Sequence, residues 1–271
     1  MLRRRLDAVF VGGAYVFPGG ALDPGDRAAD MAEVCQGRSP EEASTLLGVG
    51  SGGLAWWVAA VRECFEEAGV LLAYGADGQL VSLSEPGTAH RFEEHRSAVH
   101  AGTLRLADLC RAEGLRLAVD LLHPWSHWIT PEGPPRRFNT RFFVTRMPAG
   151  QVPRHDERET IAHLWMAPAE ALARHQAGQL DLIVPTIRNL ESIGAFATSG
   201  DLLEAAGRRG STPAIRPRVV QDEDGIRVLL PGDEGYEVSS GGPEVALALG
   251  DRPGRPGRRG RAQAAGGPGA C

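Results

Sequence analysis

Lysine is absent from this 271-residue chain: all 29 basic side chains are arginine, set against 34 acidic ones for a net charge of −5. An acidic balance of this kind argues against a general nucleic-acid surface, whose footprint is a basic patch. The all-arginine usage reads as coding bias toward GC-rich codons, although guanidinium groups also suit bidentate phosphate contacts. Cysteine is scarce, with four residues at 35, 64, 110 and 271 in neither disulfide nor metal spacing. The chain therefore reads as a protein of a reducing, cytoplasmic compartment, with Cys64 a small core residue. Long apolar runs are missing too. None approaches the ~20 residues of a membrane span, and Arg3-Arg4-Arg5 leads into no apolar signal segment, so no membrane partner is expected. The length allows one large domain or two small ones around a real core.

The informative stretch is Arg62-Glu63-Cys64-Phe65-Glu66-Glu67-Ala68-Gly69-Val70. On a helix, Glu63, Glu66 and Glu67 stand at i, i+3 and i+4 and project from one side. Val58, Val61, Phe65, Ala68 and Leu72 form an apolar stripe opposite, which anchors the helix to a core. Like charges at this spacing cost a helix a few tenths of a kcal/mol per pair, roughly. Holding a hard divalent cation is one reason to accept that cost, since such ions prefer oxygen ligands. A solvated acidic face, with Arg62 as the i+4 partner of Glu66, is the other reading of these nine residues.

Upstream, Phe17-Pro18-Gly19-Gly20-Ala21-Leu22-Asp23-Pro24-Gly25-Asp26 follows a strand-like run at 14–17. Paired glycines permit close backbone approach, here to a metal-bound phosphate or simply within a strand-ending turn. Between the two segments, Ser39-Pro40-Glu41-Glu42 carries a capping-box signal with proline at the first helical position, which predicts a short helix to Leu47. Gly48 to Gly53 reads as a flexible joint. Downstream, 90–110 and 167–178 read as helices, and 115–119, 125–130 and 139–145 as strands. Residues 214–230 look like an appended hairpin, and the Gly/Pro/Arg/Ala stretch from about 241 onward reads as disordered.

Together the glycine pair and the acidic helix resemble the Nudix box, G-x5-E-x7-R-E-U-x-E-E-x-G-U, with U a bulky apolar residue. Gly20 matches the first glycine, and Arg62, Glu63, Glu66, Glu67, Gly69 and Val70 match the second half in register. Cys64 takes the first U position. Asp26 stands where the pattern has glutamate, and the spacer from Arg27 to Val61 is 35 residues where the pattern has seven. Further segments, Pro124 to Pro131, Arg137 to Phe143, and Trp165 to Leu172, are similar to the acyl-coenzyme A diphosphatase-like branch with an interrupted box. The resemblance spans about Val11 to Leu190.

The resemblance implies an α/β fold, an α/β/α sandwich with a mixed, curved sheet. It divides the chain into a Nudix domain at 1–196 with an insertion at 27–57, an extension with a β-hairpin at 197–240, and a tail at 241–271. Nudix domains carry a longer strand-rich lead than this one, so the start reads as clipped, with Met1 an internal start or the sheet lacking an edge strand. The implied reaction is metal-dependent hydrolysis of a small-molecule nucleoside diphosphate linked to another group. Mg²⁺ or Mn²⁺ on Glu63, Glu66 and Glu67 would neutralise the pyrophosphate oxygens and orient a water for in-line attack. Glu66, Glu67 or loop residue Glu159 is the candidate base, with a solvated loop charge the other reading of Glu159. Gly19, Gly20, Asp26, Arg62 and Gly69 would shape the site, and Arg137 and Arg141 could grip phosphates, with a plain surface residue the other reading of Arg141. Trp125 and Trp128 read as core, and His127 as structural. His123, His155 and His163 lack metal-ligand spacing.

Substrate choice stays open between coenzyme A or its acyl esters and ADP-ribose, NADH or a nucleotide sugar. The coenzyme A signature L-L-T-x-R-[SA]-x3-R-x3-G-x3-F-P-G-G is only partly matched: Arg4 and Gly13 fit, while Arg5 and Val9 do not. A non-catalytic Nudix-fold ligand sensor is the reading from another class. Oligomeric state, a homodimer included, is not set by the sequence.

Overall fold

A computed structural model of the chain describes residues 1–8, 11–131, 137–222 and 225–236. The expected tail at 241–271 lies outside the described residues. Strand β1 (Leu2–Arg4) pairs antiparallel with β2 (Tyr15–Val16), and the glycine loop leaves β2 toward a 3-10 turn at Pro24–Arg27. The chain then enters helix α1 (Pro40–Leu47), where the predicted capping box is formed: Ser39 Oγ accepts from Glu42 N at 3.1 Å and Glu42 returns the bond to Ser39 N at 2.8 Å. Gly48 closes α1 in the left-handed region, at φ 62°.

The stretch expected as a flexible joint is fixed at both ends. Gly53 is buried, and its N–H donates to Ser44 Oγ at 3.0 Å. A Cβ at Gly53 would collide with the Ser44 backbone, so glycine lets α1 cross tightly against the next helix. That helix is α2 (Leu54–Ala68). The predicted stripe is buried throughout, and Trp57 is added to it, donating from its indole to Leu122 O at 2.9 Å. Leu72 belongs to the same core but lies beyond the helix, which Gly69 ends at φ 66°. Residues of the insertion, Met31, Val34, Cys35, Ala43 and Leu47, join this core. The insertion is thus part of the packed interior, which is why so long an interruption leaves the two halves of the box together. Cys64 is half-buried against Leu2, Ala68 and Val70 instead of fully enclosed.

After α2, β3 (Ala73–Tyr74) leads to α3 (Pro86–His100) and α4 (Leu106–Glu113). The single helix expected over 90–110 is two, because the chain turns at Gly102 with φ 68°. Strand β4 (Arg116–Leu117) pairs with β3, then a 3-10 turn at Val119–Leu121 replaces the end of the expected strand. The long pair β5 (His123–Ile129) and β6 (Asn139–Val144) is antiparallel, with a bulge between Pro124 and Ser126. Strand β7 (Thr160–His163) pairs with β1. Helices α5 (Pro168–Gln176), α6 (Val184–Gly194) and α7 (Ser199–Arg208) follow.

The C-terminal pairing differs from the expected hairpin at 214–230. Strand β8 (Ala214–Ile215) joins β5 in parallel, and only β9 (Arg218–Asp222) and β10 (Gly225–Leu229) form the hairpin. Antiparallel β6 and parallel β8 on either side of β5 make this sheet mixed. Trp125 and Trp128 are buried, and their indoles donate to Ser192 Oγ and Ser126 Oγ. His127 has the partner the sequence did not reveal: its Nε2 meets Asn139 Oδ1 at 2.6 Å. No described helix is long and apolar enough to cross a membrane.

Candidate active site

Helix α2 presents its acidic side to the glycine loop. Glu67 Oε2 accepts the Gly19 N–H at 2.9 Å, and a Cβ on Gly20 would overlap the Glu63 carboxylate. Glycine at 20 thus leaves the Glu63 carboxylate room to lie against the loop.

Arg62 ties the two halves together. Its Nε and Nη2 donate to Asp26 at 3.0 and 2.9 Å, and Nη2 also reaches Ala21 O at 2.8 Å. Nη1 turns back to Glu63 at 2.8 Å and Glu66 at 3.4 Å. Arg62 and Asp26 are both buried. Burial alone would lower the Arg62 pKa, but the Asp26 hydrogen bonds and the charges of Asp26, Glu63 and Glu66 outweigh it and hold the pKa above its usual value. The shorter Asp26 side chain is fully spent on Arg62 and on the Asp23 N–H at 2.8 Å. It braces the loop instead of facing the helix carboxylates.

One cation cannot balance the acidic face. Burial pushes Glu63 up to about 7 despite Arg62, with Glu66 and Glu159 adding to the rise. Burial likewise pushes Glu67 up to about 8 against the Gly19 hydrogen bond, with Glu63, Glu159 and Asp156 adding to it. Glu66 is raised by burial and partly relieved by Arg62 and His100. Among the described residues, no three His, Cys, Asp or Glu side chains are grouped as a ready-made metal site. Glu63 and Glu66 point to Arg62, and Glu67 points to Gly19. The donor set nevertheless fits a hard divalent cation: three oxygen ligands on one helix face, short of positive charge.

The loop before β7 brings Glu159 within electrostatic range of Glu63 and Glu67. Glu159 is exposed, and its loop is folded around Asp156, whose carboxylate accepts the N–H groups of Arg158, Glu159 and Thr160 and the Thr160 hydroxyl. Burial would raise the Asp156 pKa, yet these bonds hold it below the usual range.

Two further positioning residues escaped the sequence reading. Arg96, buried on α3, donates to Glu66 O at 2.9 Å, Glu67 O at 3.2 Å and Arg154 O at 2.9 Å. It caps the carbonyl end of α2 and joins it to the segment leading to Glu159. A Cβ at Gly69 would meet Arg96 Nη1 at 3.1 Å. His100 Nδ1 stands 3.7 Å from Glu66 Oε2. The available signal was an arginine at helical spacing between Phe92 and Val99, where the core face calls for an apolar residue. For Asp156, an Asx-type loop signal was present but has no unique reading.

The two arginines expected to grip phosphates part company. Arg137 is exposed, and its Nε donates to Thr130 O at 3.3 Å, at the end where β5 and β6 are joined. Arg141 lies on β6 with its guanidinium carbon 5.2 Å from the ring centre of Trp56 on α2. His155 and His163 pair with each other, Nδ1 to Nδ1 at 3.0 Å.

Comparison with known proteins bears on the family and the fold. Residues 49–193 match the family model described as the NUDT19 Nudix domain. The acyl-coenzyme A diphosphatase NUDT19 of Xenopus laevis is 28% identical over 268 residues, covering 87% of this chain and 70% of the relative. The Homo sapiens acyl-coenzyme A diphosphatase NUDT19 is 29% identical over 272 residues, covering 87% and 71%. A crystal structure of a Nudix hydrolase from Alicyclobacillus acidocaldarius superposes with a TM-score of 0.59 at 27% identity, covering 75% of this chain and 86% of that one.

Proposed function

The chain belongs to the NUDT19 Nudix domain family, and from that premise we propose that it is a metal-dependent diphosphatase acting on coenzyme A or its acyl esters. The products are adenosine 3′,5′-bisphosphate and a phosphopantetheine. The observation that carries the reading is the acidic face of α2: Glu63, Glu66 and Glu67, partly desolvated and short of positive charge, beside the Gly19–Gly20 main chain. The substrate assignment is supported by the frog and human relatives, both acyl-coenzyme A diphosphatases.

Glu63, Glu66 and Glu67 would hold Mg²⁺ or Mn²⁺, which when bound offsets the charge of the diphosphate oxygens and favours attack by water on phosphorus. Asp26 and Arg62 lock the loop against the helix, so the carboxylates and the loop amides face the same substrate. Glu159 accepts the proton of the attacking water, from a loop that Asp156 shapes. Arg137 and Arg141 contact substrate phosphates. The catalytic domain is 1–196 with its insertion at 27–57, and 197–240 is an extension that lends strand β8 to the sheet.

The partly matched signature around Arg4 and Gly13 keeps a second reading in view, a Nudix hydrolase of ADP-ribose, NADH or a nucleotide sugar. A panel assay with Mg²⁺ and with Mn²⁺ separates them. Coenzyme A is expected to be cleaved fastest; no turnover of it beside rapid cleavage of ADP-ribose or NADH would transfer the assignment to the second reading.

A further inference from the structure

Among the described residues nothing answers the charge of Arg141: its Nε and Nη1 are sealed from solvent and find no hydrogen-bond acceptor there. Burial lowers its pKa, with no carboxylate to oppose the effect. The face of Trp56 gives the guanidinium partial relief. Other positive or donor groups share the region. His127 lies directly across the strand pair from Arg141, and its pKa is lowered by burial and by the charges of Arg141 and Arg216. Its bond to Asn139 Oδ1 then makes Nε2 the proton donor, leaving a neutral ring with Nδ1 as acceptor. Arg216 is an exposed side chain next to β8, the strand that pairs with β5 at His127. Nη2 is not among the sealed atoms, so an anion would meet the guanidinium there, beside a half-exposed indole on which a flat ring could stack.

The position of Arg141 and Trp56 limits which anion they take. Trp56 and Glu63 are seven residues apart on α2, two helical turns on the same face and about 10 Å along the axis. That is further than the oxygens of a single diphosphate spread. We propose that Arg141, Trp56 and Arg216 form a subsite for a second phosphate, a phosphomonoester on the nucleoside half of the substrate, remote from the bond that is cleaved. The subsite deepens the coenzyme A reading and rests on it, because coenzyme A carries such a phosphate on its ribose whereas ADP-ribose and NADH do not.

Calorimetric binding to the full chain tests this apart from turnover. Adenosine 3′,5′-bisphosphate is expected to bind at least about tenfold more tightly than AMP, because the extra phosphate meets a charged fork. In Arg141→Gln that preference collapses toward one. Arg141→Lys, which keeps the charge but loses the fork, restores part of it. Equal affinity for the two nucleotides in the wild type, or an undiminished preference in Arg141→Gln with its fold verified by circular dichroism, overturns the subsite. Failure to cleave coenzyme A while the preference stands would instead overturn the diphosphatase assignment and leave the subsite intact.

Discussion

The two ends of helix α2 handle charge in opposite ways. Toward its C-terminus, Arg62 is surrounded by Asp26, Glu63 and Glu66, with Ala21 O as a further acceptor. In its first turn, Trp56 faces Arg141, whose buried Nε and Nη1 have no acceptor among the described residues. The first arrangement has too many carboxylates for its cation, and the second has a cation without a carboxylate. A surplus of negative charge fits metal ions, and a surplus of positive charge fits a phosphate. Under the proposed assignments, one helix would serve both parts of a metal–nucleotide complex, two turns apart.

Breaking the acidic end should have the largest effect. Glu66→Gln and Glu67→Gln each remove a carboxylate without changing its size. Each is expected to cut metal-stimulated hydrolysis on the order of 100-fold or more in a steady-state assay. If both variants keep it, the catalytic assignment falls, and a ligand-sensing role gains.

Arg62→Ala leaves Asp26 buried and unpaired, so the same end should also fail as structure. Removing one partner of a buried ion pair costs about 3 kcal/mol or more, which urea unfolding would read as a lower midpoint with little change in slope. An unchanged midpoint would mean that the loop is held onto α2 by packing alone.

Arg96→Gln tests the brace beneath the site. It withdraws charged donors from the carbonyls of Glu66 and Glu67, and kcat should fall by about tenfold through misplaced side chains, with KM changing less. A pure loss of stability, with kcat intact in the folded fraction, would reduce Arg96 to an ordinary helix cap.

This contrast also shows which features could be read from the sequence. Glu63, Glu66 and Glu67 were legible because a helix turns local spacing into a shared face. The helix from Pro40 was legible because capping chemistry is local. What escaped depends on contacts between distant residues. Arg96 reaches the end of α2 from another helix, and Asp26 meets Arg62 across the whole insertion. The helix break at Gly102 was missed because apolar periodicity continued through it. The pairing of β8 with β5 has no local signature, since a two-residue strand is defined by its neighbour. Trp56 and Trp57 are neighbours in sequence, and only the fold separates the buried ring from the one that faces Arg141.

The most direct test of the account is calorimetric titration of Mn²⁺ into the metal-free wild type and into the Glu66→Gln, Glu67→Gln double variant, in the absence of substrate. Saturable binding to the wild type and its loss in the double variant are expected, with both proteins equally folded by circular dichroism. Equal Mn²⁺ affinity in the two would contradict it, because the ions would then be held somewhere other than the acidic face of α2.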